Sequence, residues 1–280
     1  MKPKRKIIDF IRPFFDLYLK SSLHVGLAVS AFSYVTILEY QLQISPALLP
    51  FVFCSTVLAY NFTKYLSLAR REELAFTAKL KTIAAVTILS FVCTIFTAFS
   101  LDRSTLGFTT IPALLTAAYA LPLFQNRTNL RHLYGAKLFI IGAVWALVTV
   151  GLPFAAHQGS LPALSAIFTE GFQRLLFVMV LTLPFDIRDV QTDKEQLGTI
   201  PQIFGVRTTK TIGLIALSVV FLIEIAQTNS FHSGFAVFIL MVGTTALLIH
   251  QSMTVRSPWF ASFWVEGVPI LWAVLLFLLV

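Results

Sequence analysis

An all-α membrane bundle that crosses the bilayer many times is the fold class this sequence predicts, and three observations predict it. Apolar residues fill 57% of the 280 positions and charged residues only 12%, too few to cover a soluble domain of this length. Apolar runs of about 20 residues, the length a spanning helix needs, recur along the chain between short polar loops. Lys and Arg concentrate in every second loop, as they do on the cytoplasmic side of membrane proteins.

The elements follow in order. The N-terminal segment 1–22 opens with MKPKRKIIDF and mixes apolar residues with Asp9, Arg12 and Asp16 around Pro13. This pattern predicts an interfacial segment lying on the membrane. No small-residue cleavage site follows the first apolar run, which starts near Leu23, so that run reads as a retained span. Nine spans are expected in one membrane domain, 1–280: about 23–42, 47–65, 80–99, 105–123, 138–156, 169–187, 208–226, 234–251 and 262–280. Pro122, Pro153, Pro184 and Pro269 are expected to kink helices. Trp145 and Trp272 are expected to pack inside spans, and Trp259 and Trp264 suit the membrane interface. Cys54 and Cys93 both fall within apolar runs and read as packed small hydrophobes. The five His show no metal-ligand spacing. Glu39 and Glu224, near the ends of spans one and seven, read as snorkelling or hydrogen-bonded acids.

The charges test this map. With the N-terminus inside, 19 of the 21 Lys and Arg fall on the cytoplasmic side, and Arg103 and Arg174 are the exceptions. The expected placement is therefore an integral protein of a bacterial inner membrane, N-terminus cytoplasmic and C-terminus external. The net charge of +8 needs no nucleic acid to explain it; basic loops facing anionic membrane lipid suffice. The long polar loops, about 66–79, 124–137 and 188–207, all lie on the cytoplasmic side, so function is expected there.

The most informative stretch is LPFDIRDVQTDKEQLGTIPQIFGVRTTK, Leu183 to Lys210. Asp186, Asp189 and Asp193 are spaced three and four apart, which places them within about 60° of arc on a helix. Carboxylates so close repel unless a cation lies between them, and hard oxygen donors suit Mg²⁺ together with a diphosphate. A solvated helix end is the other reading, because Arg188, Lys194 and Glu195 are interleaved.

The run D-I-R-D-V-Q-T-D-K-E-Q-L-G-T-I-P resembles the second Asp-rich motif of the UbiA superfamily of intramembrane prenyltransferases. The matching positions are Asp186, Asp189, Asp193, Gly198, Thr199 and Pro201. The resemblance extends to the nine-span layout with its N-terminus inside. Around Tyr119 to Pro122, with Arg127 and Lys137 downstream, the chain is also similar to the family's fourth-span region, where a Tyr and basic residues attend the diphosphate. The first family motif, N-x-x-x-D-x-x-x-D, is matched only at Asn61. Tyr65 and Ala69 stand where its Asp residues would be, and Lys64, Arg70 and Arg71 surround them. Those basic residues read either as direct phosphate ligands or as topology signals.

The resemblance implies transfer of a prenyl group from an isoprenyl diphosphate to an aromatic or other lipophilic acceptor. Asp186, Asp189 and Asp193 would hold Mg²⁺, and Tyr119 would attend the phosphate or a carbocation. Asn61, Lys64, Arg70, Arg127 and Lys137 would bind substrate. Two alternatives stand beside it. One is a degenerate family member that binds a prenyl lipid or a partner without transfer. The other is a small-solute transporter, for which the sequence offers neither inverted repeats nor ionisable groups near mid-membrane.

Overall fold

The computed structural model describes residues 3–69, 77–121, 135–192, 198–228, 233–255, 257 and 259–279, with the side chains of 3–11, 66–69 and 78 excepted. Among these residues the chain is helical and forms no strand. The elements are α1 (Pro3–Lys20), α2 (Leu23–Glu39), α3 (Leu48–Ala69), α4 (Ala78–Ala98) and α5 (Arg103–Ala120). Then come α6 (Ala136–Ala146), a π-helical turn (Leu147–Gly151), α7 (Leu152–Ala155), α8 (Leu164–Asp189) and α9 (Ile200–Gln227). The chain closes with α10 (Ser233–His250), a π-helical stretch (Phe260–Val265) and α11 (Val268–Leu279).

Helices stand at all nine expected positions, but length and hydropathy support a smaller number of crossings. Among the described residues six helical segments are long and apolar enough to span a membrane, or seven if α1 and α2, bent by 60°, count as one broken span. The helices α3 and α5 are outside that set. The first carries Asn61 and Lys64, and the second carries Arg103, Pro112 and four Thr, all of which lower hydropathy without breaking the helix. The apolar faces point outward as well as inward. On α4, Ile88, Leu89, Phe91, Val92 and Phe96 are all exposed. A water-soluble protein rarely leaves so large an apolar face bare, whereas lipid is its natural solvent. The molecule is an integral membrane protein.

The central helix is α2. It is buried on most sides, with Val25, Phe32 and Val35 on one face and Gly26, Ser33 and Ile37 on another, and it packs on α3, α11 and the π turn. Gly26 permits the approach to α3: a Cβ there would lie 2.6 Å from Val57 Cγ2 and 3.2 Å from the Phe53 carbonyl oxygen. The π turn frees backbone carbonyls from their helical partners. Thr36 Oγ1 donates to the Thr149 carbonyl at 2.8 Å, so α2 supplies the missing donor.

The N-terminal helix docks through its aromatic face. Phe15 makes edge contacts with Trp259 and Phe263, and Trp259 Nε1 donates to Asp16 Oδ1 at 3.0 Å. His24 locks the corner between α1 and α2. Its Nε2 donates to the Phe263 carbonyl at 3.0 Å, so its Nδ1 accepts from the Tyr18 hydroxyl at 2.9 Å. At the other end, Asp102 caps α5, accepting from the hydroxyls of Ser104 and Thr105 and from the Thr105 N–H. Those bonds hold its carboxyl down at about 2. Both cysteines are free.

Candidate active site at the end of α8

Asp186 and Asp189 lie one turn apart at the C-terminal end of α8. Asp186 is buried, and Lys137 Nζ lies 2.7 Å from its Oδ1. Lys137 reaches it from the first turn of α6, which starts after Gly135 in a left-handed conformation (φ 72°). Asp189 takes a two-pronged contact from its neighbour Arg188: Nε to Oδ1 at 2.6 Å and Nη2 to Oδ2 at 2.7 Å. The remaining prong of Arg188 donates to Ser262 Oγ at 3.1 Å, tying α8 to the C-terminal π stretch. Pro184 does not interrupt α8, which runs unbroken to Asp189.

The family-like tail of the motif caps the next helix. Gly198 is left-handed (φ 53°), the Thr199 N–H donates to Gln202 Oε1 at 3.0 Å, and Pro201 sits in the first turn of α9. Gly205 (φ 77°) then breaks the helical path inside α9, a conformation that an L side chain resists.

The α3 positions behave differently from a metal-binding motif. Asn61 is buried; its Nδ2 donates to the Ser21 carbonyl at 3.0 Å and to Thr87 Oγ1 at 2.9 Å, so it pins the α1–α2 corner to α3 and α4. The Lys64 ammonium and the Tyr65 hydroxyl both donate to the Lys20 carbonyl, at 3.2 and 3.1 Å. Tyr119 on α5 lies within electrostatic reach of Tyr60, whose hydroxyl accepts from Trp145 Nε1 at 2.7 Å. Asp193, Arg70 and Arg127 lie outside the described residues.

One residue at this end escaped the sequence reading. Glu266, between the π stretch and α11, lies within electrostatic reach of Lys64 on α3 and Arg188 on α8. It therefore links the two regions that the motifs mark separately. A lone acid in an otherwise apolar run was the available signal.

The donor set suits a hard cation only in part. Two carboxylates on α8 offer oxygen ligands, whereas α3 carries no carboxylate and offers only the buried Asn61 Oδ1, which has no hydrogen-bond partner, and among the described residues no three His, Cys, Asp or Glu side chains gather as a metal site. What the end of α8 holds is a basic surround of Lys64, Lys137 and Arg188 with Asp186, Asp189 and Glu266 among them.

A helical membrane bundle with a charged site at one end is thus the class that fold and site define. No protein-family model and no curated protein matches the sequence. Solved structures do match the fold. The apo structure of a UbiA homologue from Aeropyrum pernix K1 has a TM-score of 0.66 at 15% identity, covering 91% of this chain and 98% of that one. A UbiA homologue from Archaeoglobus fulgidus bound to GPP and Mg²⁺ has a TM-score of 0.60 at 12% identity, covering 94% and 99%. The same homologue bound to DMAPP and Mg²⁺ matches with a TM-score of 0.60. The chain has the UbiA superfamily fold.

Proposed function

We propose that this protein is an intramembrane prenyltransferase that moves an isoprenyl group from a prenyl diphosphate to an aromatic or other lipophilic acceptor. The observation that carries the reading is the cluster at the end of α8, two carboxylates one turn apart among basic side chains, in a fold whose archaeal representative is described with GPP and Mg²⁺. Asp186 and Asp189 would hold Mg²⁺, with Asp193 as the third carboxylate of the pattern. When bound, the ion neutralises the diphosphate charge.

The chain's own groups do the rest. Lys137 and Arg188, now paired with Asp186 and Asp189, would offer their N–H groups to phosphate oxygens, and Lys64 would add a third positive charge. Arg70 and Arg127 belong to the same substrate set. Tyr119, with Tyr60, would offer ring faces to the positive charge left on the allyl group as the diphosphate departs with the C–O electron pair. Asn61 acts at one remove, by holding the corner that presents the Lys20 carbonyl to Lys64. In this reading the chain is one membrane domain with nine crossings in a bacterial inner membrane, its N-terminus cytoplasmic and its C-terminus external. A reporter fused after Val280 is expected to read external and one near Gln125 cytoplasmic; both on one side would show the crossing count to be wrong.

The test of activity uses purified protein in detergent with GPP, Mg²⁺ or chelator. Saturable GPP binding that needs Mg²⁺ is expected, and Asp189→Asn should weaken it ~10-fold or more by removing a ligand and a charge. Equal binding by wild type and Asp189→Asn, with no Mg²⁺ dependence, removes the catalytic reading.

One observation favours a second reading, a degenerate member that binds a prenyl lipid without transferring it. Tyr65 stands where the family's first motif has an acid, and it is spent on packing against the Lys20 carbonyl. In that case prenyl lipid binds, but no prenylated product forms from a panel of quinone-precursor and lipid acceptors.

A further inference from the structure

The chain has two cysteines in 280 residues, and the fold brings both to the seam between α3 and α4. They are 39 positions apart, so nothing local joins them. The seam has a fixed register: Asn61 Nδ2 on α3 donates to Thr87 Oγ1 on α4 at 2.9 Å. Cys54 lies seven residues before Asn61, on the same face and about 10 Å away along the axis. Cys93 lies six residues after Thr87, about 9 Å along an axis that runs the other way. The two side chains therefore reach one level, where the thiols meet within hydrogen-bonding contact. On α4, Ile83, Thr87, Ser90, Cys93 and Thr97 form the strip turned to α3, whereas Leu89, Val92 and Phe96 are exposed.

Three features set this pair apart from ordinary packed cysteines. Both residues are free and only half-buried, although cysteine is among the most buried residue types. Cys93 is flanked by Val92 and Phe96 on the face that lipid covers, so lipid-soluble molecules reach the seam. Finally, neither 48–63 nor 82–98 carries a charged side chain, so an oxidation that starts and ends with neutral groups fits the site. A bond across the seam would also have a mechanical effect, because α4 rests on α3 and touches α1 only lightly.

We propose that Cys54 and Cys93 are a dithiol–disulfide pair whose oxidant is a lipid-soluble organic hydroperoxide, and that oxidation clamps α4 onto α3. One sulfur attacks the terminal peroxide oxygen. An S–O bond forms, the O–O bond breaks, and the thiol proton goes to the departing oxygen, giving an alcohol and a sulfenic acid. The second sulfur attacks the sulfenic sulfur. The S–S bond forms, the S–O bond breaks, and the hydroxyl leaves with the second thiol proton as water. Two thiols are oxidised to one disulfide, and the hydroperoxide is reduced to alcohol and water.

The test uses the reduced, purified full chain in saturated phosphatidylcholine vesicles, with cumene hydroperoxide as the probe. Free thiols are counted by maleimide labelling after denaturation, and the cysteine peptides are identified by mass. Wild type is expected to lose both thiols and to yield a Cys54–Cys93 cross-linked peptide within one chain, and dithiothreitol should return both thiols. Cys54→Ala and Cys93→Ala should instead gain oxygen at the remaining sulfur, ending as a sulfinic acid that dithiothreitol does not reduce. The less apolar tert-butyl hydroperoxide, with the same O–O bond, should act ~10-fold more slowly because less of it enters the bilayer. In detergent, oxidised wild type should melt at least ~5 °C above the reduced chain. Wild-type thiols that survive cumene hydroperoxide, or that end as sulfinic acids or as links between chains, overturn the proposal. Equal rates with the two hydroperoxides overturn the lipid-soluble oxidant, and an unchanged melting temperature overturns the clamp.

Discussion

Arg174→Met is expected to cause the largest loss of stability of any single substitution in this bundle. The Arg174 side chain is 3% exposed and answers four groups at once. Its Nη1 donates to the Phe32 carbonyl at 2.9 Å, and its Nη2 donates to Thr36 Oγ1 at 3.1 Å and to Glu170 Oε1 at 2.7 Å. The guanidinium also lies 3.7 Å from the centroid of the Phe32 ring. Met fills much of the volume but leaves the Glu170 carboxylate without its cation. Breaking a buried pair in this way costs about 3–5 kcal/mol, because the remaining charge stays desolvated. In detergent this corresponds to a fall in Tm of ~10 °C. Adding Glu170→Leu should restore most of the loss, since removing both charges is close to neutral when the packing is kept. The check is thermal unfolding of the two single variants and the double variant. A fall of under ~2 °C for Arg174→Met would mean that the carboxylate finds another partner, and the proposed core role of the pair would be lost.

The second large effect is expected at Lys137. Its ammonium lies 2.7 Å from Asp186 Oδ1, and the two side chains are 18% and 4% exposed. In the proposed function this pair is a resting arrangement: Asp186 would be one of the residues that hold Mg²⁺, and Lys137 would then be available to phosphate. Lys137→Met should therefore lower two measurements, only one of which Mg²⁺ restores. Without Mg²⁺ the protein should melt lower, because a buried carboxylate has lost its close cation. With Mg²⁺ that loss should largely disappear, since the ion takes the vacated place. Diphosphate affinity should fall ~10–100-fold in both conditions, because a charge-assisted hydrogen bond worth about 1.5–3 kcal/mol is gone. Unfolding scans with Mg²⁺ and with chelator, alongside GPP binding, read out both effects. A stability loss that Mg²⁺ does not repair would make the Lys137–Asp186 pair a packing element only.

The segments that form helices were legible from hydropathy because each apolar run carries its own signal. The expected 80–99, 138–156 and 234–251 fall on Ala78–Ala98, Ala136–Ala155 and Ser233–His250. The misjudged edges are those where polar residues are helical for reasons other than burial. The seventh span was expected to start at 208, but α9 starts at Ile200. Thr199, Pro201 and Gln202 begin a helix by capping, and hydropathy does not register a cap. The Asp186 and Asp189 spacing was likewise legible, since a helix converts an offset of three into one face without help from the rest of the chain.

Tertiary packing alone decided what those residues meet. Lys137 and Asp186 are 49 positions apart, and Arg174 and Phe32 are 142 apart. Nothing local in either segment points to the other. Arg174 entered the sequence reading only as an exception to the charge bias, and the structure gives the reason: it faces Glu170 and α2 inside the bundle, so it carries no information about the loops. Glu39 and Glu224 were read singly as helix-end acids for the same reason, although Glu39 lies within electrostatic reach of Glu170, Arg174 and Glu224. A sequence records each charge and its distance along the chain, whereas the free energy of a buried charge depends on partners that reach it across helices. Composition and period were therefore enough to establish a membrane helix bundle with an acidic helix end. Helix packing determined that this end is lined with cations, and that a second charged cluster is enclosed about 24 Å away along α8.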